Sequence, residues 1–152
     1  MTPLLIHLPG APVGKARPRP RARGKGYIVP TSGWEQEAAQ RIAWAMRHHG
    51  AAFPLDCPVR VELHAIQARP KRLLRRCDPD GRLYAPVRPD IDNVAKSVLD
   101  AIEKAGAIVN DTRVVHLDAH SLYAARGESP CVQIRLTLAP APPAPLLPPE
   151  PA

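Results

Sequence analysis

The chain has 152 residues, 45% of them hydrophobic and 4% aromatic, and carries a formal net charge of +7. That length suits one domain with an aliphatic core, so few aromatics remain for base stacking, and the positive excess favours a polyanionic partner. Three widely spaced cysteines without a C-x-x-C pair argue against a disulfide framework or structural zinc and for a reducing cytoplasm. No stretch of 18 apolar residues and no signal-peptide pattern occurs, so neither a membrane span nor secretion is expected.

Leu4, Ile6 and Leu8 alternate with Leu5 and His7 in a first strand, closed by Pro9-Gly10. A basic arm follows, with Lys15, Arg17, Arg19, Arg21, Arg23 and Lys25. Pro18 and Pro20 keep it extended, and Arg alternating with Pro or Ala spaces the guanidinium groups along it, which suits phosphate tracking. Taken alone, the same run reads as a solvated charged segment. Tyr27, Ile28 and Val29 predict a short strand. Ser32 and Glu35 then offer a capping box for a helix carrying Trp34, Ala38, Ala39, Ile42, Ala45 and Met46 as far as Gly50. His48 and His49 at its end suit the helix dipole better than a metal.

Val59, Val61, Leu63 and Ala65 alternate with Arg60, Glu62 and His64 in a strand with one buried face. Residues 69 to 88 then collect Arg69, Lys71, Arg72, Arg75, Arg76, Arg82 and Arg88 among Pro70, Pro79, Gly81 and Pro86. This predicts a long surface loop that orders when phosphates are present. The arm and the loop hold more than half of the chain's 21 lysines and arginines, so the charge is local. The candidate DNA contacts are Lys15, Arg17, Arg19, Arg21, Arg23, Lys71, Arg72, Arg75 and Arg76.

The loop leads into the stretch with the most chemistry. Ile91, Val94, Ala95, Val98, Leu99, Ile102 and Ala105 form the apolar stripe of an amphipathic helix that Gly106 ends. Pro89 pushes Arg88 out of helical geometry, and Asp90 is placed to cap the first turn with its side chain. Asp92, Lys96 and Asp100 follow at i, i+4 and i+8 on the polar face, so Lys96 lies within one turn of either acid and an ordinary ion pair with Asp100 is expected. Asn110 and Asp111 stand at a turn after the helix. An aspartate at a helix start ordinarily serves the dipole alone. Three carboxylates and a lysine at this spacing fit metal-assisted phosphodiester chemistry, in which hard oxygen ligands hold a divalent ion.

Val114, Val115, Leu117, Leu122 and Tyr123 predict a strand on which His116, Asp118 and His120 share a polar face. Val132, Ile134, Leu136 and Leu138 form the last strand. Residues 139 to 152 hold seven of the 20 prolines and read as an extended or disordered tail, leaving 1–138 as the domain. The order of elements predicts a compact α+β single domain with a mixed β-sheet and the helices packed on it.

Asp90-Ile91-Asp92-Asn93-Val94-Ala95-Lys96, then Leu99-Asp100-Ala101, Gly106 and Asn110-Asp111-Thr112-Arg113-Val114, resemble the signature of the RusA-type Holliday junction resolvases. Gly10-Ala11-Pro12 and Lys15-Ala16-Arg17-Pro18-Arg19 resemble that family's N-terminal pattern, and the matches run from residue 4 to roughly 138. Two positions depart from the family: Asn110 stands where a first aspartate is common, and His116 and His120 occur in the strand that often carries a lysine. The resemblance implies a homodimeric endodeoxyribonuclease that resolves four-way DNA junctions by paired nicks in recombination and repair. It implies one or two Mg2+ ions per subunit, replaceable by Mn2+, held by Asp90, Asp92 and Asp111, with Lys96 opposing charge that develops on the phosphate. The rival reading is a non-catalytic DNA- or RNA-binding module in which the arm and loop bind and the acids only cap a helix.

Overall fold

The computed structural model describes residues 2–16, 19–20, 27–28, 33–144 and 146. In chain order it contains β1 (Leu4–Pro9), β2 (Arg19–Pro20), β3 (Tyr27–Ile28), α1 (Gly33–His49), β4 (Val59–Gln67), β5 (Leu83–Tyr84), α2 (Ile91–Lys104), β6 (Val114–Tyr123) and β7 (Cys131–Leu138). The main sheet has five strands in the order β1-β7-β4-β6-β5, while β2 and β3 pair as a separate antiparallel ribbon. β4 and β6 are parallel and the other neighbours antiparallel, so the sheet is mixed and the fold is α+β. Ser32, the proposed cap of α1, and Val29 lie outside the described residues.

The alternation read from the sequence becomes rows across the sheet. Leu4, Leu136, Val61 and Leu117 form one inward row, and Ile6, Ile134, Leu63 and Ala119 the next. Both helices cover this face: Ala38 and Ile42 of α1 and Val94, Ala95, Val98, Ala101 and Ile102 of α2 join the buried strand residues in one core. Leu63 is fully buried there, and a cavity at its place would cost about 3 kcal/mol.

No helix covers the opposite face, whose rows are polar: Leu5, Arg135, Glu62 and Asp118, then His7, Gln133, His64 and His120. Arg60 bridges Glu62 at 2.7 Å and Asp118 at 3.4 Å, and His120 Nε2 lies 2.9 Å from Asp118. Pairing with neighbours lets this face meet water without bare charge. His116, Asp118 and His120 are thus ordinary residues of an outer sheet face.

The loop between β4 and β5 is ordered without phosphate, contrary to the expectation from composition. Arg69 donates to the carbonyls of Leu73, Pro79 and Gly81 at 2.8, 2.5 and 3.0 Å. From the other side Arg126 donates to Asp80 at 2.6 Å and to the carbonyls of Leu74 and Arg75 at 3.0 Å each. A guanidinium carries five donors in a rigid fork, so two arginines satisfy carbonyls that a proline-rich loop cannot pair with itself.

Candidate active site

The apolar stripe of α2 packs on the sheet and leaves Asp92 and Lys96 exposed on its polar face, with Asp90 exposed just before the helix. Asp90 occupies the cap position with extended backbone angles, yet its side chain makes no capping bond. The N–H of Asn93 is taken by Asp90's own carbonyl at 3.0 Å, which removes the donor a capping carboxylate would seek. The expected side-chain cap is therefore corrected, and the carboxylate stays available. Lys96 Nζ lies 3.3 Å from Asp92, one turn back.

Asp100 departs from the expected pairing with Lys96. It accepts from Lys15 at 2.5 Å, and that contact raises the lysine's pKa. The start of the basic arm is thereby fastened to α2, and a second fastening lies one turn earlier. Lys15 N–H donates to the Asn93 carbonyl at 3.1 Å, and Asn93 Nδ2 donates to the Lys15 carbonyl at 3.3 Å. Gly14 permits this approach, since a Cβ there would stand 2.5 Å from Asn93 Nδ2. Asn93 and Gly14 escaped the sequence reading, and their signal was a glycine immediately before the first basic residue. Arg17, Arg21 and Arg23 lie outside the described residues, and Arg19 is described only as backbone of β2.

The loop arginines divide into two kinds. Arg69 holds the loop, Arg75 pairs with Asp78 at 3.4 Å, and Arg82 binds Glu128 at 2.5 Å. The Arg75 guanidinium and backbone N–H hold the Asp78 carboxyl below its ordinary pKa. Lys71, Arg72, Arg76 and Arg88 are exposed and make no ion pair among the described residues. Of the predicted loop contacts, Lys71, Arg72 and Arg76 keep uncommitted charge, whereas Arg75 is engaged within the loop.

Asp90 opens onto a groove of about 590 Å3 whose walls include Tyr84, Pro86, Arg88, Ile91 and His120. A concavity of about 430 Å3 on the open sheet face, between Leu5, His7, Glu62 and His64, contains none of the predicted site residues. The Asp90 groove lies beside residues 119–121 of β6.

Asp111 lies at the other end of the domain. It begins a 3-10 turn, Asp111–Arg113, that precedes β6 and is anchored by Arg113 to Asp56 at 2.6 Å. Nearby, Ile108 bridges Leu55 and Val114 is registered with Val59, at the starting ends of β6 and β4. Between Asp90 and Asp111 the chain runs the whole of α2, a rise of about 21 Å at 1.5 Å per residue. One chain therefore brings Asp90, Asp92 and Lys96 together and leaves Asp111 apart. Among the described residues no three His, Cys, Asp or Glu side chains could hold a metal ion. Asp90 and Asp92 fit a hard divalent cation in chemistry and exposure, but a ligand set with Asp111 is not complete within one protomer.

His48 Nδ1 lies 2.8 Å from the Trp44 carbonyl and His49 Nε2 lies 2.9 Å from the Thr2 carbonyl, so both are occupied as helix-end groups. No helix of the described residues is long and apolar enough to cross a membrane.

The family model described as Endodeoxyribonuclease RusA matches residues 9–137, which covers both helices and the strands from β2 to β6 together with most of β7. No curated protein matches the chain.

Proposed function

The chain belongs to the RusA endodeoxyribonuclease family, and from that membership we propose that it is a divalent-metal-dependent, structure-selective nuclease acting as a homodimer on four-way DNA junctions. It makes paired nicks, and its ion is Mg2+, with Mn2+ able to substitute. Domain boundaries at 1–138, with a dispensable tail at 139–152, belong to the same reading. The observation that carries it is the polar face of α2. Asp90 is left without a capping bond at the mouth of a groove, Asp92 is exposed one turn before Lys96, and the uncommitted Lys71, Arg72, Arg76 and Arg88 belong to the segment that feeds the helix.

Asp90 and Asp92 hold the cation through carboxylate oxygens, with Asp111 as the third acid. The bound ion supplies Lewis-acid activation of a phosphodiester and a water of lowered pKa. Lys96 contributes a fixed positive charge next to the position where the phosphate gains negative charge, and its bond to Asp92 keeps the ammonium on that face. The basic residues of arm and loop hold the DNA backbone and orient it, without reading sequence.

The deciding test is incubation of the purified protein with a labelled synthetic four-way junction, with Mg2+ and with EDTA. Nicks on two opposed strands only with Mg2+ are expected. Salt-sensitive junction binding with no nicking in Mg2+ or Mn2+ would make the chain a non-catalytic binding module.

A further inference from the structure

β6 is a strand whose outer edge is only partly used. β5 pairs with it at Leu122 and Tyr123 alone, and the Ala85 N–H reaches the Ser121 carbonyl at 3.0 Å. Residues 114 to 120 have no backbone partner on that side among the described residues. Natural sheets rarely leave such an edge bare, and they usually blunt it with lysine or proline. This stretch has neither, and it exposes Val115 to 61% and Leu117 to 44%.

We propose that a second copy of this chain pairs along this edge, antiparallel, and that the pairing brings Asp111 of one protomer to Asp90 and Asp92 of the other. The metal site is then shared between subunits. This rests on the nuclease reading above and removes its main difficulty, the span of α2 between the acids.

The register follows from symmetry. An edge pairing a strand with its own copy is antiparallel about a two-fold axis, and residue sums are constant along it. The free stretch 114 to 120 has Leu117 at its middle, so the axis passes there and every free residue finds a partner. Leu117 then meets its own copy, an apolar contact on the axis. His116 faces Asp118 of the partner subunit, a pair of favourable sign when the histidine is protonated. Continued three residues beyond Val114, the same register carries Asp111 to the level of the partner's Tyr123. That is where β5 joins and where the groove beside Asp90 opens. The mismatch within one chain and the free edge are independent observations, and one symmetric contact accounts for both.

The test uses two copies of the full chain with different affinity tags, one carrying Asp90→Asn and the other Asp111→Asn, co-expressed and isolated as the mixed dimer. Each variant alone is expected to lose tight Mn2+ binding, read by electron paramagnetic resonance, and to lose nicking. In the mixed dimer one site has both changes and the other has none. Recovery of half of the wild-type Mn2+ sites, with single rather than paired nicks, is the expected result. A mixed dimer as empty as its parents, beside a wild type that binds and cuts, overturns the shared site and leaves the nuclease reading intact.

A second arm tests the edge without any metal. Val115→Lys together with Leu117→Lys, at positions already exposed, should yield a monomer by sedimentation equilibrium with an unchanged circular dichroism spectrum. If that variant stays a dimer, the interface lies elsewhere and the proposal is wrong. A wild type that neither binds Mn2+ nor nicks overturns both the nuclease reading and the shared site.

Discussion

Two ionic groups in this protein look alike in composition and differ in how they are committed. On the open side of the sheet Arg82 binds Glu128 at 2.5 Å and Gln133 at 3.2 Å, and donates to His64 Nδ1 at 3.4 Å, joining four separate segments. Glu128 further accepts the Ala125 N–H at 2.8 Å. On α2 the acids are exposed, and Lys96 pairs only with Asp92 of its own helix. The first group closes the fold and the second is left for a ligand. Net charge marks neither, and what separates them is whether each charged atom already has a partner on another element.

That contrast is broken most strongly by neutralising the second group. Asp92→Asn or Asp111→Asn should lower nicking by at least about a hundredfold while leaving the melting temperature unchanged or raised, since no fold contact is lost. Junction binding by these variants should stay the same or tighten, because positive charge is gained. Lys96→Ala should cut about a hundredfold more slowly yet still bind Mn2+, separating transition-state stabilisation from metal holding. Loss of Mn2+ binding by Lys96→Ala would show that the lysine positions the acids instead.

The reverse is expected of the first group. Glu128→Gln should cost about 2 kcal/mol of stability and leave nicking near wild type well below the melting temperature. The Arg82 guanidinium holds the Glu128 carboxyl below its ordinary pKa, and burial holds His64 below its own, helped by His120 and Arg82. Both groups bind fewer protons folded than unfolded, so each contributes stability above its ordinary pKa that is lost as pH falls through the folded value. His64 acts first, and melting temperature should start to fall below about pH 6.5. His64→Gln should flatten the upper part of that decline, and an unchanged profile would remove His64 from it.

A smaller effect separates the loop arginines. Replacing Lys71, Arg72 and Arg76 by alanine should weaken binding of all junction sequences alike and reduce the slope of log affinity against log salt by about three. Arg69→Ala should instead loosen the loop and raise its amide exchange, because its donors serve carbonyls. Truncation after Ala139 should have the smallest effect of all, with folding, dimerisation and cleavage preserved. A truncated protein that sediments as a monomer would show that the tail belongs to the interface.

Much of the fold was legible because burial imposes periodicity. The alternation of Val59 to Ala65 and of Val132 to Leu138, and the stripe from Ile91 to Ala105, are direct records of one wet and one dry face. The two-residue strands β2 and β5 left no such record, since a pair of residues has no period. The loop from Arg69 to Arg82 misled for a different reason. Its order depends on Arg126, more than 40 residues away, and composition carries no trace of which carbonyls an arginine will find. The acids, too, were readable as residues and not as a site. Their spacing along the chain put Asp90 and Asp111 in one cluster, whereas the parallel crossover from β4 through α2 to β6 sends the two to opposite ends.

The central claim is that the carboxylates at the start of α2 serve chemistry and not the helix. Asp90→Asn, compared with wild type on a labelled four-way junction in Mg2+ under single-turnover conditions, tests it most directly. An unchanged melting temperature with strand cleavage abolished is the predicted result, and nicking at the wild-type rate would contradict it.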